Sequence, residues 1–218
     1  MVVYIIMAVI AYLIGSVNFS VIISKKMAGF DVWEKGSGNA GSTNVLRTVG
    51  KKAAALTLLC DILKGVVSIV IAVIIGKFAK EQSAAILVQI AALFVVLGHT
   101  FPIFFGFKGG KGVATSLGVI ILVNWKIGLI CLIFAIVLMA ITRMVSLGSI
   151  SAAALFAVLT VFIRDSYIAG IEFEFSFIIF GILLAAFVIF NHRSNLKRII
   201  SGTENKLSFK KKEEAENK

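Results

Sequence analysis

Charge is what this sequence has least of. Asp, Glu, Lys and Arg make up 15% of its 218 residues, while 59% are apolar. An ordinary soluble domain is about a quarter charged and about half apolar, so that class is excluded. Cysteine is scarce. Cys60 and Cys131 each lie inside an apolar run with no second metal-type ligand nearby, and they read as small hydrophobes in helices. Proline occurs once, as Pro102, and marks one expected helix break. Acidic residues are outnumbered 11 to 22 by Lys and Arg, a net charge of +11. In so apolar a chain that surplus points to membrane topology and an anionic lipid or substrate, and away from nucleic acid.

At about 20 residues per crossing, the length fits roughly six to eight crossings and leaves no room for a separate soluble domain. Apolar segments run over about 2–24, 53–76, 84–105, 112–123, 125–142, 147–163 and 174–192. They must be helical, because irregular backbone would leave polar groups unpaired in hydrocarbon. The first lacks a basic n-region and is too long for an h-region, so it is expected to be a span rather than a cleaved signal. The fourth is short. The fold class expected is an all-α membrane protein with seven transmembrane helices.

Basic residues assign the sides. Seventeen of the 22 fall after helices one, three, five and seven; only Lys77, Lys80, Lys126 and Arg164 fall on the other side, and Lys64 lies within helix two. The rule that basic loops stay inside puts the N-terminus outside and the C-terminus in the cytoplasm. Residues 1–205 then form one membrane domain, and 206–218 a charged, solvated cytoplasmic tail. No convincing internal repeat is visible.

Four polar segments gather on the cytoplasmic face. The first, Lys35 to Arg47, carries Ser37, Gly38, Asn39, Gly41 and Asn44; its glycines let amides approach an anion. Its plainer reading is a flexible loop. Gly36 to Gly41 also fits a dinucleotide fingerprint, but a membrane helix precedes it rather than a strand. The second, Gly98 to Thr115, holds His99, Lys108, Gly109, Gly110 and Lys111, and leads into a helix N-terminus, where dipole and amides favour an anion. It is no Walker A loop: Phe105 stands six residues before Lys111, and Gly112 follows it. The third, Thr142 to Ser149, offers Ser146 and Ser149, which also read as ordinary helix N-terminal donors. In the fourth, His192, Asn195 and Arg198 recur every three residues and share a helical face; the alternative there is a juxtamembrane basic anchor. Asp61 and Lys64, three apart within a span, read as a structural ion pair. Such donors suit a phosphate-bearing ligand; a divalent metal would want carboxylates or clustered histidines, so none is expected.

The motifs Gly36-Ser-Gly-Asn…Gly41…Asn44…Arg47, Asp61-x-x-Lys-Gly65, Gly98-His…Pro102…Phe107-Lys-Gly-Gly-Lys-Gly-Val-Ala-Thr115, Ser146-Leu-Gly, and His192-x-x-Asn195-x-x-Arg198…Gly202-x-Glu204 follow one another along nearly the whole chain. In this the sequence resembles the bacterial acyl-phosphate-dependent glycerol-3-phosphate acyltransferases of the PlsY type. Ala40 stands where that family often has proline; Leu196 and Ile199 replace a common isoleucine and leucine, and Asn191 a frequent basic residue. The resemblance implies a seven-helix enzyme of the bacterial cell membrane with a cytoplasmic active site. It implies acyl transfer from acyl phosphate to the 1-hydroxyl of glycerol 3-phosphate, giving lysophosphatidic acid and phosphate. No cofactor is implied. The partners implied are the two substrates, membrane lipid and the soluble enzyme that makes acyl phosphate.

The resemblance further suggests that Ser37, Arg47 and Lys111 contact the glycerol phosphate or its neighbour, with Lys108 nearby. Ser146, Ser149, His192 and Asn195 would line the second phosphate and the reacting carbonyl. The proton could pass to the leaving phosphate, or to His192 or His99 as general base; an acyl-serine at Ser37 lacks a Ser-His-Asp set. A transporter or flippase for phosphorylated metabolites is the alternative function, but transporter sites tend to sit at the midplane between repeats.

Overall fold

The computed structural model describes residues 1–79, 84–163, 167–168, 171–172 and 175–207. Its helices are α1 (Val2–Gly15), α2 (Phe19–Ala28), α3 (Ser42–Thr48), α4 (Lys51–Phe78), α5 (Ala84–Thr100), α6 (Val113–Val123), α7 (Trp125–Thr142), α8 (Val145–Phe162), α9 (Phe175–Asn191) and α10 (Arg193–Ile200). One departure from all-α is a small antiparallel ladder of β1 (Tyr167–Ile168) and β2 (Ile171–Glu172), pairing Tyr167 with Glu172 and Ile168 with Ile171. Lys80, Arg164 and the tail beyond Leu207 lie outside the described residues.

Five stretches are long and apolar enough to cross a membrane: α1 with α2, α4, α5 continued to Phe105, α7 and α8. A sixth appears if α9 is joined to α10, from which it bends by 62°. Helix α6, with 11 residues, is shorter than these. The bundle is apolar on its outside. Leu59, Leu63 and Val67 on α4, Ile133 and Val137 on α7, and Ile182 and Leu183 on α9 are all exposed, as lipid-facing residues must be.

The helices approach closely through glycine. A β-carbon at Gly15 would run into the Val95 carbonyl, and one at Gly98 into the Tyr12 carbonyl, so α1 and α5 meet backbone to backbone. Gly65 and Gly118 do the same for α4 and α6, against Thr115 and Ile62. Without a hydrophobic drive between helices in lipid, this close packing is what holds a bundle together. On the α8–α9 side, Phe156, Phe177 and Phe180 pack edge to face and stacked, with centroids 6.0–6.3 Å apart.

The first span is not continuous, contrary to the expectation of one helix over 2–24. It breaks at Ser16 to Asn18. The break is stabilised from three directions. Asn18 caps α2, its Oδ1 accepting from the Val21 amide at 3.4 Å. Ser16 donates to the Tyr12 carbonyl at 2.8 Å. Lys64, from α4, donates to the freed carbonyls of Gly15 at 3.0 Å and Val17 at 2.9 Å. Apolarity gave no warning of this break, because the group that satisfies it lies 47 residues or more along the chain.

Candidate active site

The four polar segments converge around one cavity of 680 Å³. Its polar lining comes from all four: Ser37 and Arg47 from the first segment, Lys111 from the second, Ser146 and Ser149 from the third, and His192, Asn195 and Arg198 from the fourth. Its lining is also apolar in part, with Leu58 of α4, Leu117 of α6, and Leu132, Ile136 and Met139 of α7.

The first segment is ordered rather than a loose loop, and its tail forms α3. Asn44 is the reason. Its side chain is buried; Oδ1 accepts from the Ser37 amide at 2.8 Å, and Nδ2 donates to the carbonyls of Val32 at 2.9 Å and Lys35 at 3.0 Å. Its hydrogen bonds fix the turn that carries Ser37, Gly38 and Asn39 to the cavity wall, with Gly41 entering α3 beside them. Arg47, on α3, reaches the Asn205 carbonyl at 3.4 Å.

The second segment leaves α5 at Thr100, within the 84–105 stretch, and Phe101 and Pro102 turn the chain into a short 3-10 turn at Ile103–Phe105, the break expected at the proline. The amides of Gly109 and Gly110 return to the carbonyls of Thr100 and His99, both at 3.1 Å. Gly109 and Gly110 are therefore spent on the α5 terminus and do not line the cavity; nor does Lys108, which is exposed. Lys111 is turned inward, and Gly112, Val113 and Ala114 bring the amide-rich start of α6 to the same wall. Lys111 Nζ donates to Asn195 Oδ1. Burial, reinforced by the charge of Arg198 and then Arg47 and opposed by Glu204, lowers its pKa to about 8.

The third and fourth segments meet on a carboxylate that the sequence reading left unassigned. Glu204 accepts from Ser146 Oγ and Asn195 Nδ2 at Oε1, both at 2.8 Å, and from Arg198 Nε at Oε2 at 2.9 Å. Burial pushes its pKa upward, but the bonds from Asn195, Ser146 and Arg198 outweigh that and hold it below the usual carboxylate range. The Gly202-x-Glu204 ending was the available signal. Ser149 turns its hydroxyl back to the Val145 carbonyl at 2.9 Å. His192 stands past the end of α9, with Nδ1 2.8 Å from the Val188 carbonyl. That bond makes Nδ1 the protonated nitrogen and leaves the Nε2 lone pair free. Burial lowers the pKa to about 4; the Val188 bond works the other way, Lys111 lowers it further, and Glu204 raises it.

Asp61 and His99 also reach the cavity wall. Asp61 Oδ1 lies 3.0 Å from Lys64 Nζ and 3.5 Å from His99 Nδ1, deep among α4 and α5. Among the described residues no group of three or more His, Cys, Asp and Glu side chains is placed to hold a metal ion. Cations prevail in the polar lining: Arg47, Lys51, Lys111 and Arg198 belong to it, against Glu204 and an Asp61 already paired with Lys64. Such a site can hold two anions side by side and present an apolar chain next to them.

The family model described as glycerol-3-phosphate acyltransferase matches residues 5–202. A protein of Clostridioides difficile (strain 630) named glycerol-3-phosphate acyltransferase is 46% identical over 211 residues, covering 95% of this chain and 97% of its own. One of Nostoc sp. with the same name is 40% identical over 213 residues, covering 92% and 90%. Among solved structures, the chain is similar to PlsY (YgiH), an integral membrane glycerol 3-phosphate acyltransferase. In its glycerol 3-phosphate form the TM-score is 0.80 at 35% identity, covering 94% of this chain and 96% of that one. In its lysophosphatidic acid form the TM-score is 0.78 at 34% identity, covering 94% and 95%.

Proposed function

Because the chain belongs to the glycerol-3-phosphate acyltransferase family and is a membrane acyltransferase, we propose that it moves a fatty acyl group from acyl phosphate to the 1-hydroxyl of sn-glycerol 3-phosphate. One observation carries this reading: a single cavity is lined both by a surplus of cationic side chains and by apolar ones. The cationic lining suits the phosphates of donor and acceptor, and the apolar lining suits the acyl chain.

Arg47 and Lys111 hold the glycerol phosphate, with Ser37 beside it. Asn195 and Ser146, oriented by Glu204, and His192 Nε2 face the acyl phosphate and its carbonyl. The acceptor hydroxyl attacks that carbonyl, a new C–O ester bond forms, and the C–O bond to phosphate breaks. The phosphate departs with the bonding pair and takes the hydroxyl proton. His192, at about 4, is a weaker base than a phosphate, whose second pKa is about 6, so the leaving group is the better acceptor. The catalytic work left to the chain is orientation and charge neutralisation.

Seven crossings complete the reading: α1 with α2, α4, α5, α6, α7, α8 and α9, with the N-terminus outside and the site facing the cytoplasm of a bacterial cell membrane. The 17-to-4 asymmetry of basic residues supports this orientation. A soluble enzyme that makes acyl phosphate then delivers the donor on the same side.

The test uses purified protein in detergent with acyl phosphate and glycerol 3-phosphate. Lysophosphatidic acid and phosphate should appear in equal amounts. Absence of both, with uptake of glycerol 3-phosphate into protein-containing liposomes, would overturn the enzyme reading in favour of transport.

A further inference from the structure

The second segment has a mechanical difficulty. Gly109, Gly110 and Gly112 flank Lys111, and glycine gives the backbone there little stiffness of its own. A catalytic ammonium on a long, flexible side chain needs a fixed root, and the structure supplies one from inside the bundle. The imidazole of His99 lies against Gly110 so closely that a β-carbon there would collide with Nε2, and also with the Ala40 carbonyl. The His99 carbonyl also accepts the Gly110 amide at 3.1 Å. On its far side the ring meets Asp61 Oδ1 at 3.5 Å through Nδ1, and Asp61 is in turn held by Lys64 at 3.0 Å. Lys64 is anchored on the Gly15 and Val17 carbonyls of the broken first span. A continuous line of contacts thus runs from the break between α1 and α2, through Lys64, Asp61 and His99, to the residue preceding Lys111.

We infer that Asp61 and His99 are positioning residues for Lys111: the carboxylate orients the imidazole, and the imidazole backs Gly110, so that the ammonium is delivered to Asn195 and the substrate phosphate. This rests on the proposed role of Lys111 and goes beyond it, because neither Asp61 nor His99 is asked to touch substrate.

A double-mutant cycle between His99→Ala and Lys111→Ala, read as kcat/KM in purified protein, tests it. His99→Ala alone should lose about 10- to 100-fold, the scale of a displacement of about 1 Å in a catalytic group. In the Lys111→Ala background the same change should cost no more than about twofold, since there is no ammonium left to misplace. The pH profile gives a second readout. The groups facing the ammonium are Arg47, Arg198, Glu204, Asn195 and the imidazole of His192; an ammonium released from its buried seat should titrate higher, so His99→Ala should move the alkaline limb upward by more than about half a unit. Equal losses in both backgrounds, or an unmoved limb, overturn the inference. Full activity in Lys111→Ala alone overturns the Lys111 assignment itself, which separates the two failures. If His99→Ala does not fold, His99→Asn, which keeps a donor toward Asp61 but withdraws the ring, runs through the same cycle with the same criteria.

Discussion

Two clusters of charge border one cavity in this molecule, and their bookkeeping differs. The inner one joins Asp61 and Lys64, both with 3% of the side chain exposed, to His99. It contains one acid, one ammonium and backbone carbonyls, and each formal charge meets its opposite. The outer one sets Arg47, Lys111 and Arg198 around the single carboxylate of Glu204. Balance inside a membrane protein marks a structural tie, because unpaired charge there is costly. Imbalance at the mouth of a cavity marks a place where ligand completes the charge. On the proposed reading the inner cluster serves stability and the alignment of Lys111, and the outer one serves substrate.

The largest expected effect comes from unbalancing the inner cluster. Lys64→Met leaves Asp61 buried without its ammonium and frees the carbonyls of Gly15 and Val17. Breaking a buried pair this way costs about 3–5 kcal/mol. Thermal unfolding in detergent should show a large drop in midpoint, and Asp61→Asn added to Lys64→Met should recover part of it. An unchanged midpoint would break the assignment of this cluster to structure.

Lys111→Ala makes the opposite case. Removal of a preorganised donor to the reacting groups lowers kcat by about 10²–10³, while the unfolding midpoint should stay near that of the parent. Steady-state phosphate release and a melting curve on one preparation separate the two effects. Should the variant lose stability as heavily as Lys64→Met, the two clusters would not be distinct in role.

Lys111 also sets a pH dependence. Its pKa is lowered to about 8, so the ammonium is present below that value and is lost as pH rises through it. At saturating detergent and fixed substrate, kcat/KM should fall above pH 8, approaching about tenfold per unit. Lys111→Arg should remove this limb, because a guanidinium stays charged, though with lower activity from its altered geometry. A limb that persists in Lys111→Arg would place the titrating group elsewhere.

How much of this was legible in the sequence depends on the range of the interaction. Helix α7 over 125–142 came out of the apolar run alone, because Asn124 caps its start locally, with Oδ1 on the Ile127 amide at 3.0 Å. The break at Ser16 to Asn18 did not, because Lys64 supplies the missing donor from another helix. In the site, Arg47, Lys111, His192 and Asn195 were legible as types that phosphate needs. Asn44 was legible as polar, but not the work its side chain does at the cavity wall, where it fixes the Ser37 turn. Glu204 was missed as a site group because its partner Ser146 lies 58 residues away, and an acid beside a mixed-charge tail looks solvated.

The smallest effect is the sharpest check on the second segment. Lys108 and Lys111 stand three residues apart in one glycine-rich motif, and type alone cannot rank them. The backbone does. Phe107 takes a left-handed φ of 59°, an uncommon conformation for a side chain of its size; its amide bonds to the Pro102 carbonyl at 3.0 Å, and the Lys108 amide to that of Phe105 at 3.2 Å. That tight turn leaves the Lys108 side chain exposed, while Gly112, at φ 87°, turns Lys111 into the cavity. Substitution of an exposed side chain away from packed features changes free energy by about 0.5 kcal/mol or less, so Lys108→Ala should keep kcat/KM within about threefold. A loss on the scale of Lys111→Ala would mean that the loop turns over when substrate binds, bringing Lys108 to the phosphates, and the division between the two lysines would have to be redrawn.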